Sequence, residues 1–386
     1  MSGAAALGAL AAAQGVALVV LLRRLARGRT RFPSARPERA SDSRASVTVV
    51  VPTRNESARL RPCLDGLRRQ QTPLVEVIVV DGGSTDGTLD LIDAAARLDG
   101  RVRRIDEPPR PSGAVGRPWA IAAGCAAARA EWVMVVDADV APRPGMVAGA
   151  VAAARRHGYD AVSFAPRIRA PGAGARWLQP AFLTTLVYRF GPVGVDTPPE
   201  RAMANGQCLL VRRAVLECAG GYAVASTSYC DDVRIVRHLA ACGARVGFLD
   251  GAALLDVEMY PDAASTWRGW PRSLNLRDAT RPSWRWLDAL FLLLAQALPL
   301  PVLLAALALP LPRALLLVNL LLLAPRFLLL AATAHSFSRR GLAYWLSPLA
   351  DAAAVLRVVQ TTIERPREWR GAPQRDALSA ENAAVL

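Results

Sequence analysis

The chain has 386 residues, of which 52% are hydrophobic, and a formal net charge of +15 at pH 7. This hydrophobic content excludes a purely soluble protein and leaves room for one large domain together with membrane-embedded segments. The chain contains no lysine, so its 47 positively charged side chains are all arginines, and they lie beside apolar runs. That distribution favours a membrane surface over nucleic acid as the partner of the positive charge.

The six cysteines are far apart in the sequence and form no C-x-x-C pair. Their spacing predicts neither a disulfide framework nor a zinc site, and it fits a main domain in a reducing, cytosolic compartment. The three histidines are scattered. We therefore expect no histidine-based metal site.

The first predicted element is a transmembrane anchor over residues 1–24. Residues 3–22 are almost all apolar and approach the roughly 20 residues that a membrane span needs. Arg23, Arg24 and Arg27 follow the run, whereas a cleaved signal peptide would carry its charge before it. This order favours an uncleaved anchor with the following domain in the cytoplasm. Residues 25–45, rich in Pro, Ser and Arg, are predicted to be a linker.

From residue 46 the chain alternates between strand and helix patterns. Strands are predicted at 46–51, 75–80, 101–105 and 132–136, with helices at 56–70, 88–98 and 119–130. Strands separated by helices of this length form βαβ units. The sequence therefore predicts an α/β domain over residues 46–280, with a mostly parallel sheet flanked by helices.

Three of these strands end in polar loops, at 53–56, 81–86 and 137–139. In an open parallel sheet such ends meet at one edge, where ligands bind. Asp137 and Asp139 are two residues apart, so both carboxylates can face one hard cation that also holds substrate phosphates. Taken alone, the pair also fits a solvated turn at a strand end.

No strand is followed by G-x-G-x-x-G, and the chain has no G-x-x-x-x-G-K-[ST]. Instead, three motifs together resemble glycosyltransferase family 2, which has a GT-A fold: Val-Val-Val-Pro-Thr-Arg-Asn-Glu at 49–56, Val-Val-Asp-Gly-Gly-Ser-Thr-Asp-Gly-Thr at 79–88, and Asp-Ala-Asp at 137–139. Further motifs, at 116–120, 205–207, 220–221 and 259–260, resemble its membrane-bound subgroup that includes hopanoid-associated and carotenoid glycosyltransferases. The resemblance covers about residues 46–280.

The resemblance implies a nucleoside diphosphate sugar donor, with uridine as the expected nucleoside. It assigns the donor to the three loops and to the arginine of the 116–120 motif, that is to Pro52, Thr53, Arg54, Glu56, Asp81, Gly83, Arg117, Asp137, Ala138 and Asp139. Arg117 would contact the diphosphate, since a guanidinium suits bidentate phosphate binding; the alternative is a surface arginine. Asp139, with Asp137 shared between ribose and metal, would bind Mg or Mn. Gly82 stands where many relatives carry a second acid.

A second acidic pair, Asp231 and Asp232, opens a segment with helical spacing. Acids in a first turn are also favoured by the helix dipole alone, so a charged helix end is the other interpretation. The resemblance assigns catalysis to this pair, with Asp232 as the general base. A carboxylate that takes the proton of an acceptor hydroxyl makes it a nucleophile, and one such displacement inverts the anomeric configuration.

The acceptor side is assigned from weaker patterns. Residues 203–211 are predicted to form a strand that carries Asn205 and Gln207 to the sugar. Arg268 and Trp270 stand where processive relatives have a Gln-x-x-Arg-Trp motif, and we expect them near the diphosphate or the acceptor. The aromatic and leucine-rich segment 177–190 fits either the bilayer interface or ordinary packing against the sheet.

Residues 281–363 are predicted to form a C-terminal membrane region. Two spans are expected, at 287–309 and 314–334, with both ends of the hairpin cytoplasmic because arginines flank it. Residues 342–363 contain Asp351 and Arg357 and fit an interfacial helix or a third span. Residues 364–386 would be a cytoplasmic tail.

These features predict an inverting, metal-dependent hexosyltransferase in the cell inner membrane, multi-pass, with a cytoplasmic catalytic domain. Its partners would be the donor, the lipid bilayer and a membrane lipid or isoprenoid hydroxyl, with no nucleic acid. So few spans cannot form a polymer channel, which favours transfer of a single sugar. The alternatives are transfer to a polyprenyl phosphate and a non-catalytic, membrane-anchored sugar-nucleotide-binding scaffold.

Overall fold

The computed structural model of the protein describes residues 3–39, 45–270, 274, 276, 279–363, 368–369 and 372–373. Part of the predicted linker and most of the predicted tail, 364–386, lie outside the described residues. The chain divides into two compact units. We call them the helical unit (Met1–Arg31, Arg169–Val195 and Met259–Pro366) and the sheet unit (Phe32–Ile168, Asp196–Glu258 and Arg367–Leu386).

The sheet unit is built on a seven-stranded sheet of order β3-β2-β1-β4-β8-β6-β9 and a three-stranded sheet of order β5-β10-β7. The strands are β1 Val47–Thr53, β2 Leu74–Asp81, β3 Val102–Asp106, β4 Trp132–Val136, β5 Val140–Pro142, β6 Ala161–Ala165, β7 Arg167–Arg169, β8 Cys208–Arg212, β9 Val246–Asp250 and β10 Leu255–Glu258. The pairs β1–β2, β1–β4, β2–β3 and β6–β9 are parallel, and β8 is antiparallel to both neighbours. The predicted class, a mostly parallel sheet flanked by helices, is confirmed.

The continuous apolar runs are explained by strand position. β1 and β4 are buried along their whole length, as central strands covered on both faces must be. β3 lies at the edge of the sheet, and its burial alternates along the strand. A side chain at Gly124 would place its Cβ 2.3 Å from Cγ1 of Val50, so this glycine lets a helix lie close to β1.

The helices of the sheet unit are α2 Leu60–Arg68, α3 Thr88–Leu98, α4 Gly116–Ala127, α5 Met146–His157, α7 Arg213–Cys218 and α8 Asp231–Ala241. α2 begins four residues later than the predicted helix 56–70. The reason is a tertiary contact: the backbone N–H of Glu56 donates to Oγ1 of Thr88 at 2.8 Å. The carbonyl of Glu56 then accepts from the N–H groups of Arg59 and Leu60, which turns the chain into the helix.

The strand predicted at 203–211 is shorter than expected, since β8 begins at Cys208. Residues 205–207 form a turn in which Oδ1 of Asn205 accepts from the backbone N–H of Gln207 at 2.9 Å. Such local side-chain bonds compete with strand pairing. Asn205 and Gln207 therefore lie on a loop ahead of the strand.

The helical unit contains α1 Gly3–Ala26, α6 Ala173–Phe190, α9 Ala263–Gly269, α10 Pro282–Leu292, α11 Pro299–Ala305, α12 Arg313–Thr333, α13 Gly341–Trp345 and α14 Asp351–Ile363. Two helical stretches are long and apolar enough to cross a membrane, Gly3–Thr30 and Arg313–Ser336. On them, Val16, Leu317 and Leu328 remain 66%, 59% and 70% exposed, as lipid-facing side chains would be. These stretches fall on the predicted anchor and on the predicted span 314–334.

The predicted span 287–309 is not one straight helix. A π-helical turn, Leu293–Ala297, separates α10 from α11, and the two halves are bent by 42°. Pro299 and Pro301 lack the N–H groups that would continue the ladder, which accounts for the break. The pair Pro282–Ala297 and Pro299–Ala305 is either one broken span or a re-entrant loop.

The two ambiguous segments take defined forms in the helical unit. Segment 177–190 lies within α6, which packs against the C-terminal helices of the same unit. Residues 342–363 form α13, a 3-10 turn at Ser347–Ala350 and α14. With 13 residues, α14 is shorter than the roughly 20 that a span needs, which favours the interfacial interpretation.

Two buried polar contacts tie the apolar helices together. The side chains of Gln14 and Asn319 exchange hydrogen bonds of 2.7 and 2.9 Å between α1 and α12. Arg326 of α12 makes a bidentate ion pair with Asp351 of α14, at 2.7 and 3.0 Å, and Gln296 also donates to Asp351. Because both charges are buried, each depends on the other for its solvation.

We expect Arg326→Met to destabilise the protein by about 3–5 kcal/mol, because it leaves the Asp351 carboxylate buried without its cation. The double variant Arg326→Met with Asp351→Leu should recover most of that loss. Thermal denaturation of the detergent-solubilised protein measures both, with Arg313→Met, an exposed arginine of the same helix, as the control. A double variant as unstable as the single one would contradict this account.

Candidate functional site

The ends of β1, β2 and β4 meet at one edge of the large sheet. Thr53, the last residue of β1, is the register partner of Asp81, the last residue of β2. Asp137 follows β4, which pairs with β1 on its other side. Pro52 and Ala138 are buried in this framework. The structure thus brings together the three loops to which the sequence assigned the donor.

The Asp81 carboxylate shapes the loop that follows β2. Its Oδ2 accepts from the backbone N–H groups of Gly83 and Ser84, both at 2.9 Å. Its Oδ1 accepts from the hydroxyls of Ser84 and Thr53. Gly83 has φ +82°, a conformation that side-chain-bearing residues rarely adopt. Asp81 is 4% exposed, so its main contacts in this structure are within the loop.

The loop after β1 is joined to the same turn. Oδ1 of Asn55 accepts from the N–H of Thr85 at 2.8 Å, and the N–H of Asn55 donates to Ser84. The Glu56 carboxylate pairs with Arg59 at 2.9 Å. The two donor loops therefore form one connected rim, with Arg54 half-buried within it.

The two carboxylates of the Asp-Ala-Asp motif have different surroundings. Oδ1 of Asp137 accepts from Nε and Nη2 of Arg117, at 2.9 and 2.7 Å. Oδ1 of Asp139 is buried and has no hydrogen-bond partner among the described residues, while its Oδ2 lies 4.0 Å from Arg59. Burial, and then repulsion by Asp137, raise the pKa of Asp139 to about 6. Asp139 therefore has one long contact to an arginine, through Oδ2, and one oxygen, Oδ1, without a hydrogen-bond partner among the described residues.

This donor set suits a hard divalent cation bound together with a diphosphate. Magnesium is held in proteins through one or two carboxylates plus substrate phosphates, and not by a full cage of protein ligands. No group of three or more acidic, histidine or cysteine ligands occurs among the described residues. The unpartnered oxygen of Asp139 is the observation that fits a cation ligand.

The second acidic pair opens α8, and its two members also differ. Asp231 is 4% exposed, and its Oδ2 accepts from Arg117 Nη1 at 2.5 Å and from the Tyr222 hydroxyl at 2.8 Å. Asp232 is half-buried, and it accepts from the backbone N–H groups of Gly206 at 2.7 Å and Val233 at 2.9 Å. Burial, and then repulsion by Asp231, raise the pKa of Asp232 to about 6. Asp232 is thus the more accessible carboxylate of the pair.

Arg117 is not a surface arginine, and its guanidinium already has protein partners. Its side chain is 15% exposed and donates to Asp137, Asp231 and the carbonyl of Gly206. Burial disfavours the charge, but the two carboxylates outweigh it and raise the pKa of Arg117. Its contact with a donor diphosphate stays a prediction, and one that would compete with four existing hydrogen bonds.

The residues assigned to the acceptor lie in different units. Asn205 and Gln207 flank Gly206 in the sheet unit, next to Asp232. Arg268 and Trp270 belong to the helical unit, and Arg268 is exposed. Trp270 is 6% exposed, and its ring stacks on that of Phe182 with 5.5 Å between the ring centroids. The roles of all four residues stay predictions.

Sequence reasoning missed three residues of this edge. Tyr222 donates to Asp231, and burial, with Asp231, raises its pKa so that the phenol stays a donor. Arg59 lies beside Glu56 and Asp139. Oε2 of Glu107 lies 2.8 Å from where a Cβ on Gly82 would be, so an acid from the end of β3 occupies the space beside this glycine. The Gly-Gly motif directly before Tyr222 was the one signal that could have drawn attention to it.

We expect Asp139→Asn to stabilise the protein in EDTA at pH 7.5. The folded protein binds the Asp139 proton more tightly than the unfolded chain does. The stability that this protonated carboxyl contributes is therefore lost as pH rises through about 6. A neutral amide avoids that loss, so the free energy of unfolding of the variant should exceed that of the wild type by about 1–3 kcal/mol. Thermal denaturation should show a higher midpoint at pH 7.5 and little difference at pH 4.

The matched control is Asp93→Asn, whose carboxylate is 50% exposed. That variant should leave the midpoint unchanged at both pH values. A lower midpoint for Asp139→Asn at pH 7.5 would show that the unpartnered oxygen carries no electrostatic cost.

Comparison with known proteins adds to this geometry. Residues 48–220 match the family model described as glycosyl transferase family 2. The succinoglycan biosynthesis protein ExoA of Rhizobium meliloti is 28% identical over 56% of this chain and 64% of that protein. The undecaprenyl-phosphate 4-deoxy-4-formamido-L-arabinose transferase of Pseudomonas aeruginosa is 32% identical over 44% of this chain and 48% of that protein. The chain spans less than two thirds of the length of the curated relatives it matches.

A solved structure also aligns with nearly the whole chain. The mannosyltransferase PcManGT from Pyrobaculum calidifontis, in complex with GDP-Man and Mn2+, aligns over 92% of this chain and 99% of that chain, with a TM-score of 0.50 and 22% identity. At this identity the likeness shows the fold alone, and it confirms the predicted GT-A fold. Residues 48–220 of the chain are thus similar to glycosyltransferase family 2.

Proposed function

We propose that the protein transfers a single hexose from a nucleoside diphosphate sugar to a membrane lipid, with inversion at the anomeric carbon. One observation supports this most: two acidic pairs face one buried arginine, and each pair keeps one carboxylate that the arginine does not contact. Asp139 and Asp232 are these carboxylates. A displacement needs charge stabilisation on the leaving side and a base on the attacking side, and each pair can supply one of them.

The donor would bind along the rim of the sheet edge. Carboxylates and backbone groups of the 53–56 and 81–84 loops suit the N–H groups of a base and the hydroxyls of a ribose. Glu56, with Arg59 at its side, and Asp81 line this rim. A divalent Mg or Mn ion held by Asp139 and Asp137 would neutralise the charge that grows on the leaving diphosphate.

Asp232 would act as the general base. Its raised pKa of about 6 lies near physiological pH, where a carboxylate is both deprotonated and basic enough to accept a proton. It takes the proton of the acceptor hydroxyl as the oxygen attacks the anomeric carbon. Two backbone N–H groups hold the carboxylate in place for this step. Activity should therefore rise with pH through about 6.

The helical unit supports a lipid acceptor. Two of its helical stretches are long and apolar enough to cross a membrane, which would hold the enzyme where lipids are. The arginines in the last turn of α1 favour a cytoplasmic sheet unit, where the site would meet nucleotide sugars. A multi-pass protein of the inner membrane is the arrangement we propose.

A second acceptor class is favoured by one relative. The Pseudomonas aeruginosa transferase is named for undecaprenyl phosphate, and a phosphate oxygen is already anionic. Such an acceptor would need no proton removed by Asp232. Purified protein can be offered an isoprenoid alcohol and a polyprenyl phosphate separately. The hydroxyl proposal expects transfer to the alcohol and loss of that transfer in Asp232→Asn.

We expect Asp232→Asn to lower the turnover number about 10²–10⁴-fold with little effect on donor binding, because only the proton acceptor is lost. Asp139→Asn should instead abolish the dependence of donor binding on Mg or Mn. Radiolabelled sugar transfer to extracted lipids, together with calorimetric nucleotide binding, separates these effects, with Asp93→Asn as the control. If the wild type were as inert as both variants while still binding nucleotide, the protein would be a sugar-nucleotide-binding scaffold.

A further inference from the structure

The arginine between the two acidic pairs has a geometry that a diphosphate ligand does not explain. Nε and Nη2 of Arg117 point to one oxygen of Asp137, at 2.9 and 2.7 Å. Nη1 points to Asp231, at 2.5 Å. The two carboxylates are 94 residues apart in sequence, at positions 137 and 231, and one planar cation fixes both of them.

A third contact extends this link to Asp232. Nη2 of Arg117 donates to the carbonyl of Gly206 at 2.8 Å, and the N–H of Gly206 donates to Oδ2 of Asp232 at 2.7 Å. A Cβ on Gly206 would lie 2.7 Å from Nη2 of Arg117 and 3.3 Å from Oδ2 of Asp232. The peptide therefore fits between the arginine and the base only because residue 206 has no side chain.

The carboxylates of Asp137 and Asp231 both depend on the positive charge of Arg117. Asp137 and Asp231 have side chains that are 25% and 6% exposed, and removal of Arg117 would leave both carboxylates without their common cation. Tyr222 would remain a partner of Asp231 but brings no charge. An ammonium group could not reproduce the contacts, because three different guanidinium nitrogens point in separate, fixed directions.

A different arginine is free of these constraints. Arg59 has a side chain that is 44% exposed, and its contacts are Glu56 at 2.9 Å and Asp139 at 4.0 Å. It lies on the rim where the diphosphate would be and beside Asp139, whose Oδ1 has no hydrogen-bond partner among the described residues. The two arginines of the site thus differ in burial and in contacts.

We propose that Arg117 is a positioning residue that sets the distance between the leaving-group side and the base side of the site, acting on Asp232 through Gly206, while Arg59 contacts the donor diphosphate. This inference rests on the proposed transfer reaction. It differs from the sequence-based expectation, which gave the diphosphate to Arg117. Loss of Arg117 should impair the reaction step, and loss of Arg59 should impair donor binding.

The experiment compares Arg117→Lys, Arg117→Ala and Arg59→Gln in the full-length, detergent-solubilised protein. We expect Arg117→Lys to lower kcat 10- to 100-fold while KM for the donor changes less than threefold. Added guanidinium at tens of millimolar should restore part of the activity of Arg117→Ala. Arg59→Gln should show the opposite, with KM raised at least fivefold and kcat nearly unchanged. A raised KM with normal kcat in Arg117→Lys would overturn the assignment.

Two readouts do not depend on turnover. Calorimetry with UDP and GDP in the presence of Mn should show affinity within threefold of wild type for Arg117→Lys and a clear loss for Arg59→Gln. The thermal midpoint lost in Arg117→Ala should be recovered in part by adding Asp231→Asn, because the unpaired charge is then removed. If the wild type binds nucleotide and transfers nothing, the proposed function fails, and these two readouts still decide the role of Arg117. An equal loss of nucleotide affinity in Arg117→Lys and Arg59→Gln would overturn the assignment of Arg117. So would a thermal midpoint of Arg117→Ala that Asp231→Asn does not raise.

Gly206→Ala provides an independent variant that keeps every charge. Its Cβ would push the arginine and the base apart, so kcat should fall while nucleotide affinity is kept. Wild-type kcat in Gly206→Ala would show that this contact does not transmit the position of Arg117.

Discussion

The site depends on the guanidinium group of one arginine, Arg117. Arg117 stands between Asp137, which follows β4, and Asp231, which opens α8, and it donates to both. Four carboxylates at one site would repel each other, and an arginine that neutralises one member of each pair reduces this repulsion. The remaining two, Asp139 and Asp232, keep a raised pKa of about 6 because burial and a neighbouring acid still act on them. The same interaction leaves one carboxylate of each pair outside the hydrogen bonds of Arg117.

The two compact units are stabilised by different kinds of contact. In the sheet unit, parallel strands end at one edge, and polar loops collect there because backbone groups beyond the strand ends need new partners. In the helical unit, apolar helices are tied by a few buried polar contacts, Gln14 with Asn319 and Arg326 with Asp351. Where apolar packing gives little specificity between helices, such contacts fix which faces meet.

Much of the sheet unit could be predicted from the sequence, because its signals are local. The apolar run before Asp137 has the pattern of a buried strand, and the acids at its end follow directly. Features that depend on distant residues could not be predicted. The start of α2 is delayed by a bond from Glu56 to Thr88, and the role of Arg117 depends on partners up to 114 positions away. The sequence placed Trp270 near the diphosphate or the acceptor, but it could not show that the ring packs against Phe182.

The central claim is that a base on one side of the sugar and a neutralised leaving group on the other carry out one direct displacement. The anomeric configuration of the product tests it most directly. Proton NMR of the glycolipid formed from a donor of known configuration should show the opposite configuration, with a coupling constant that reports the new linkage. A product that retains the configuration of the donor would contradict the account, since retention requires two displacements or a different arrangement of the site.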